Sequence, residues 1–370
     1  MKVMSIIGTR PELIKMSEII KKLDKFTQHT FVHTGQNYDP QLNDVFYGEL
    51  GLRFPDVQLK WAGNDLGAQL ANNFYEIQPV LEKYKPDAAV ILGDTNSAIA
   101  GGYLAKRMKI PLFHLEAGNR CFDDNVPEEI NRRILDHISD VNMVYTQSQR
   151  LYLRDEGIAK DRIFVMGSPM TEILLKHQET IRQSTVLTDM QLKPKEYFVV
   201  SIHRDENTEI PENLDILLKT LNLIAFKYGL PVIVSTHPRL KKKLEQNKLE
   251  MHKLVQFQKP LGFFDYIFLQ ANAKCTISDS GTISEESAIL GFPAITIRNA
   301  IERPEAVDAG SILMTGVDEA SIMACLDMLE KNYIEGAIPQ DYGITNTSER
   351  VLRVVLGYTP YINKYVWGKR

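Results

Sequence analysis

The 370-residue sequence has little cysteine: Cys121, Cys275 and Cys325 stand far apart and form no CxxC pair. That spacing supports neither a disulfide framework nor a thiolate zinc cluster, and it fits a reducing cytoplasm. Long apolar runs are missing too. Met1 to Ile7 leads straight into Gly8, too early for a signal h-region or a spanning helix, so neither secretion nor membrane insertion is expected. Basic residues form only short runs such as Lys241 to Lys243, and the formal charge is -4, so nucleic acid is not an expected partner. There is no Walker A loop, GxGxxG or HExxH, no internal repeat and no low-complexity segment.

What the chain does have is an ordinary globular composition, 44% hydrophobic and 24% charged, at a length that predicts two domains. Short apolar runs alternate with amphipathic segments, the pattern of βα units in a parallel sheet. Strands are expected at 3–7, 30–34, 88–92, 112–115, 143–146 and 163–166, and again at 197–202, 232–235, 254–257, 275–277, 294–297 and 312–314. Each set reads as one Rossmann-like domain, the first over 1–168 and the second over 169–356, with the turn at Gly167-Ser168-Pro169 between them. A last helix is expected over 347–356. Beyond Gly357, the tail 357–370 with Tyr358, Tyr361, Tyr365 and Trp367 is expected to return to the first domain.

Open parallel sheets take their ligands beyond the carboxyl ends of the strands. The first strand runs into Gly8-Thr9-Arg10-Pro11-Glu12, where Arg10 and Lys15 suit a phosphate at a helix start, or are simply solvated cations on a tight glycine turn. Asp94 follows the third strand as a helix cap or a crevice acid. Glu116 ends the fourth, where surface decoration is a poor explanation. Pro127-Glu128-Glu129 opens a helix whose spacing sets Glu128 and Arg132 on one face, opposite a buried face with Ile130 and Ile134. In the second half, His203-Arg204 and His237 with Arg239 close consecutive strands and suit an anionic ligand better than a metal. Thr282 and Glu285 fit a capping box. Glu286 is then left to accept ribose hydroxyls, with Ser280 and the Gly281 amide facing a phosphate.

In order along the chain, GTRPELIK (8–15), GDTNS (93–97), EAGNR (116–120), PEEINR (127–132), HRDEN (203–207), SDSGT (278–282) and ERPEA (302–306) resemble the non-hydrolysing UDP-N-acetylglucosamine 2-epimerase family. The resemblance implies an α/β fold of the GT-B type, two Rossmann-like domains with parallel sheets and a central crevice. It implies inversion at C2 of a UDP-2-acetamido sugar by elimination and readdition of UDP, with no redox cofactor and no metal, in a homodimer. Asp94, Glu116 and Glu128 match the family's catalytic carboxylates and His203 its histidine. Arg10, Lys15, Ser280, Gly281, Glu286 and Arg303 match positions that hold UDP or substrate. Three departures mark a subgroup: Gln36-Asn37-Tyr38-Asp39 where an allosteric segment is usual, Asn119 where leucine is common, and Thr282 in place of a glycine. EAGNRCFD, KPLGFFDY, SDSGT and the YVWGK end look most like the branch that makes UDP-N-acetyl-L-fucosamine from UDP-2-acetamido-2,6-dideoxy-L-talose for capsule or O-antigen synthesis. A GT-B glycosyltransferase, a hydrolysing epimerase and a nucleotide-sugar sensor are the competing readings.

Overall fold

The central apolar runs form strands buried on both faces, which explains why they show no alternation of polar and apolar residues. The computed structural model describes residues 1–36, 40–236, 243, 249–332 and 336–369, and its chain divides into two units, Met1–Lys176 with Asp341–Arg370 and His177–Gln340. In the first unit, β1 (Lys2–Ile7), β2 (Gln28–His33), β3 (Val57–Gln58), β4 (Ala88–Leu92), β5 (Leu112–Ala117), β6 (Val141–Val144) and β7 (Ile163–Val165) make one sheet in the order β3-β2-β1-β4-β5-β6-β7. All its pairings are parallel. Strand β3, two residues long, was not expected, being too short to show a period. Met4, Ile6, Ile91 and Leu112 pack from the sheet against Ala98, Leu104 and Leu135 of the covering helices.

The second unit repeats the plan with β8 (Phe198–Ser201), β9 (Val232–Ser235), β10 (Val255–Gln258), β11 (Cys275–Ser278), β12 (Ala294–Thr296) and β13 (Leu313–Met314), ordered β10-β9-β8-β11-β12-β13 and also parallel. Val200, Ile277 and Ile295 of this sheet pack on Leu217, Leu221 and Ile322. In each sheet the strand order reverses once, between β1 and β4 and between β8 and β11. Those switch points are where such sheets open to ligands.

Two boundaries differ from expectation. The helix Pro169–Lys176 and the stretch 341–356, expected in the second domain, belong to the first unit. Thr171 Oγ1 donates to the Tyr342 carbonyl at 2.6 Å, and buried Glu172 accepts Ser348 N at 2.7 Å and Ser348 Oγ at 2.6 Å, so the two chain crossings are fastened together there. The last helix is longer than 347–356: it runs Thr347–Tyr365, through Gly357 and Pro360. Buried Thr359 and Ile362 and the Tyr358 ring, 4.7 Å from that of Phe164, hold its second half in the first unit, outweighing the helix-breaking residues. Among the described residues no helix is long and apolar enough to cross a membrane.

Candidate active site

At the β1/β4 switch point the chain turns at Gly8 into the helix Arg10–Phe26. Gly8 does not use a glycine-only backbone angle, as a tight turn would need; a Cβ there would lie 2.4 Å from Ser97 Oγ and from Thr34 Oγ1, so close approach demands the glycine. Glu12 folds back over the turn. Its Oε2 accepts Gly8 N (3.0 Å), Thr9 N (2.7 Å) and Thr9 Oγ1 (2.7 Å), and its Oε1 accepts Thr95 Oγ1 at 3.0 Å. One carboxylate thus ties the ends of β1 and β4. Burial pushes Glu12 up to about 7 in spite of these donors. Arg10 lies over the Phe46 ring, 5.3 Å from its centroid.

Strand β5 carries Glu116 out of its pleat. Pairing with β6 steps from Leu115 opposite Met143 to Ala117 opposite Val144, so Glu116 is the extra residue of a bulge, with φ of 67°. Left-handed backbone at a glutamate costs on the order of 1 kcal/mol and persists where the surroundings impose it. Here they do. Lys15 Nζ donates to Glu116 Oε2 at 2.7 Å, Tyr145 Oη donates to the same oxygen at 2.9 Å, and Asn119 Nδ2 reaches Oε1 at 3.3 Å. Gly118 at φ 77° lets the turn lie on the helix Gln147–Asp155, since a Cβ there would stand 2.8 Å from the Gln149 carbonyl. Beneath the turn, Gly118 N and Arg120 Nη1 donate to buried Asp136, whose Oδ1 lies 2.9 Å from His114 Nδ1. His114 Nε2 in turn donates to the Gly93 carbonyl at 2.7 Å.

Asp94 follows Gly93. Arg132 Nε (3.0 Å) and Nη2 (2.7 Å) both donate to its Oδ2, and Asn131 Nδ2 donates to its carbonyl. Arg132 also pairs with Glu129 at 2.8 Å and is 3% exposed at the side chain, so in this structure it grips carboxylates. The expected orientation of the helix Pro127–Ile138 is corrected: Ile130 is 51% and Ile134 44% exposed, while Glu129, Arg132, Leu135 and Asp136 are buried. A polar network, with Glu129 accepting Cys121 N and Phe122 N, outweighs the apolar pair in setting the inward face. Glu128 is half-buried beside it.

In the second unit His203 and Asp279 meet across β8 and β11. His203 Nδ1 is 2.7 Å from Asp279 Oδ1, and Asp279 also accepts His203 N, Arg204 N and Asn207 Nδ2. Burial alone would raise the Asp279 carboxyl; the His203 charge and these donors bring it down to about 2. A carboxylate so placed accepts the hydrogen bond of Nδ1–H, so Nε2 is the nitrogen of the half-exposed ring that it does not engage. Nearby, Arg303 Nη1 donates to the Gly281 carbonyl at 2.9 Å, and Arg298 and Arg204 approach Glu302 at 2.6 and 3.8 Å.

The Thr282–Glu285 capping box does not form. Thr282 is already helical at φ -76° and ψ -16°, its hydroxyl meets Ser280 Oγ at 3.0 Å, and Glu285 lies 3.3 Å from Arg303 Nε in an ion pair without hydrogen-bond geometry. Glu286, expected to await ribose hydroxyls, accepts Gln270 Nε2 at 2.9 Å. His237 lies outside the described residues, as do Asn37, Tyr38 and Asp39. Among the described residues no group of three or more His, Cys, Asp or Glu is arranged to hold a metal ion. Sequence reasoning passed over Glu12, Tyr145, Asp136 and Asp279 as site residues. Asp279 had a signal, its place at a strand end in SDSGT, but the adjacency of β8 and β11 was needed to pair it with His203.

Two doubly wound parallel units, each with acids and cations converging at its switch point, define an α/β enzyme of the GT-B type. A family model described as UDP-N-acetylglucosamine 2-epimerase matches residues 21–356. The chain belongs to that family, as its motif order implied. It is 35% identical over 364 residues to the UDP-N-acetylglucosamine 2-epimerase of Methanococcus maripaludis, covering 96% of this chain and 98% of that protein. The UDP-N-acetylglucosamine 2-epimerase structure from Rickettsia bellii matches with a TM-score of 0.93 and 44% identity over 100% of both chains. The Methanocaldococcus jannaschii enzyme in complex with UDP-N-acetylglucosamine and UDP matches at 0.91 and 34%, over 96% of this chain and 100% of that one.

Proposed function

We propose that this enzyme inverts C2 of a UDP-2-acetamido sugar without net hydrolysis. A carboxylate takes the proton from C2, the C1–O bond to UDP breaks with its electron pair leaving on UDP, and a 1,2-unsaturated sugar remains. A second proton carrier then delivers to C2 from the other face while the UDP oxygen re-forms the bond to C1. The reaction therefore needs two groups able to carry a proton, each contributing roughly 10²- to 10⁴-fold. Asp94, Glu116 and Glu128 are assigned this work, and His203, oriented by Asp279, is assigned proton exchange through Nε2. Ser280, Gly281, Glu286, Arg303 and Arg10 are assigned to UDP and substrate; Lys15 and Arg132 are assigned to holding Glu116 and Asp94. The observation that carries the reading is Glu116, a strained glutamate held on a bulge at a strand end by Lys15 and Tyr145.

Within the class we assign the substrate as UDP-2-acetamido-2,6-dideoxy-L-talose and the product as UDP-N-acetyl-L-fucosamine, on the segments EAGNRCFD, KPLGFFDY and SDSGT. UDP-N-acetylglucosamine is the second reading, favoured by what the relatives are named for. We further assign a homodimer in the cytoplasm, which sedimentation and cell fractionation test. Incubation with each UDP-sugar in D₂O followed by NMR decides the chemistry. Deuterium at C2 of both epimers without accumulation of free UDP is expected, with faster exchange for the talose sugar. Unlabelled, unchanged substrate in every case overturns the reading, and deuterium incorporation confined to UDP-N-acetylglucosamine overturns the talose assignment.

A further inference from the structure

We propose that Gln149 and Asn119 form an amide relay of fixed polarity that makes Asn119 a positioning residue for the Glu116 carboxylate. The proposal deepens the epimerase reading, since Glu116 is there a proton carrier. Both amides are buried, Gln149 and Asn119 each 1% exposed. Gln149, at the third position of its helix, accepts the backbone N–H groups of Tyr145 (2.9 Å) and Thr146 (2.8 Å) on Oε1. Backbone N–H can only donate, so the Gln149 oxygen must face the chain and its Nε2 must face away. That Nε2 donates to Asn119 Oδ1 at 2.6 Å. The Asn119 oxygen is thereby committed, and its Nδ2 has to point at Glu116 Oε1, 3.3 Å away. The identity of the two ends of the Asn119 amide is thus dictated, two hydrogen bonds upstream, by two backbone donors.

The consequence falls on the reacting acid. Lys15 and Tyr145 both donate to Oε2 of the carboxyl. Asn119 supplies a donor on Oε1, which resists rotation of the carboxylate about its last bond and favours its charged form. Gly118 is part of the device, because only its lack of a side chain lets the turn sit against Gln149.

Two variants test the relay. Asn119→Leu removes the donor. Gln149→Glu keeps an acceptor for the Tyr145 and Thr146 amides, a capping residue as good as glutamine there, but replaces the Nε2 donor by an acceptor. Asn119 must then flip and turn its oxygen toward Glu116. Titration of side-chain carboxyls by NMR on glutamate-labelled protein, with the Glu116 signal assigned from its loss in Glu116→Gln, reads the effect without any substrate. The Glu116 midpoint is expected to rise by about one pH unit in Asn119→Leu and further in Gln149→Glu. With UDP-sugar, kcat should drop roughly tenfold while KM stays within about twofold, and the acid limb of the kcat profile should move up with the midpoint. Midpoints unchanged within about 0.2 pH unit in the folded variants overturn the relay; Gln149→Glu carries the test alone if Asn119→Leu does not fold. Shifted midpoints in a protein whose wild type exchanges no C2 proton leave the relay standing and sink the epimerase assignment.

Discussion

Asp279 is buried at the end of β11 and holds four donors, among them His203 Nδ1, so in the proposed mechanism it acts through a neighbour by fixing which nitrogen of His203 serves as proton carrier. Replacing it by asparagine keeps the shape and removes the charge that holds the Nδ1 proton. Asp279→Asn should lower kcat by about 100-fold or more with UDP affinity within a few-fold, measured by turnover and calorimetry. The same substitution has a pH signature. The unfolded carboxyl takes up its proton near 3.8 and the folded one near 2, so its stabilisation is fully present above about pH 4 and is lost as pH falls through about 2. Wild type should therefore exceed the variant by about 2 kcal/mol of charge-dependent stability near neutrality, converging with it toward pH 2 in acid titrations of unfolding.

At the scale of elements, the sites are held by side chains that join one strand end to the next. Glu12 joins β1 to β4 through Thr9 and Thr95, and His114 of β5 reaches the Gly93 carbonyl beyond β4 on one side and Asp136 of the helix Pro127–Ile138 on the other. Glu12 gives the opposite sign from Asp279. The unfolded chain releases this proton near 4.5 and the folded one near 7, so the stability it brings is fully present below about pH 4.5 and is lost as pH rises through about 7. Glu12→Gln stays neutral throughout. Comparing urea unfolding at pH 5 and pH 8, wild type should lose about 3 kcal/mol relative to the variant, and equal losses in both proteins would show that Glu12 ionises normally in the fold.

At the scale of the whole molecule the chain leaves the first unit after Lys176 and re-enters it at Asp341, and Glu172 sits where the two crossings meet. It accepts Ser348 N and Oγ and pairs with Lys176 at 2.9 Å. Glu172→Ala leaves these donors buried and unmatched, at an expected cost of about 3 kcal/mol. Thermal melts should show this as a lower midpoint, and amide exchange should rise first over 347–365.

Much of this was legible along the chain. Twelve apolar runs became strands because a parallel strand covered on both faces needs a continuous apolar run, and the acids near their ends, each alone open to a cap or dipole reading, stood out by their order along the chain. The orientation of the helix Pro127–Ile138 is not legible in the sequence, because Ile130 and Ile134 give a clear local signal while the partners of its buried polar face, Asp94 for Arg132 and the Cys121 and Phe122 amides for Glu129, lie outside the helix. The last helix outran Gly357 for the same reason: Phe164, which holds its second half, is far away in sequence. The sequence by itself determined the strands, the two parallel sheets and the order of the strand-end motifs, because those follow from local periodicity and turn chemistry. Only the tertiary structure decided which strand ends are neighbours. That is why His203 faces Asp279, why Lys15 and Tyr145 hold Glu116, and why the Asn119 amide, set by Gln149, must turn its nitrogen toward an acid: each depends on a contact between residues far apart in sequence.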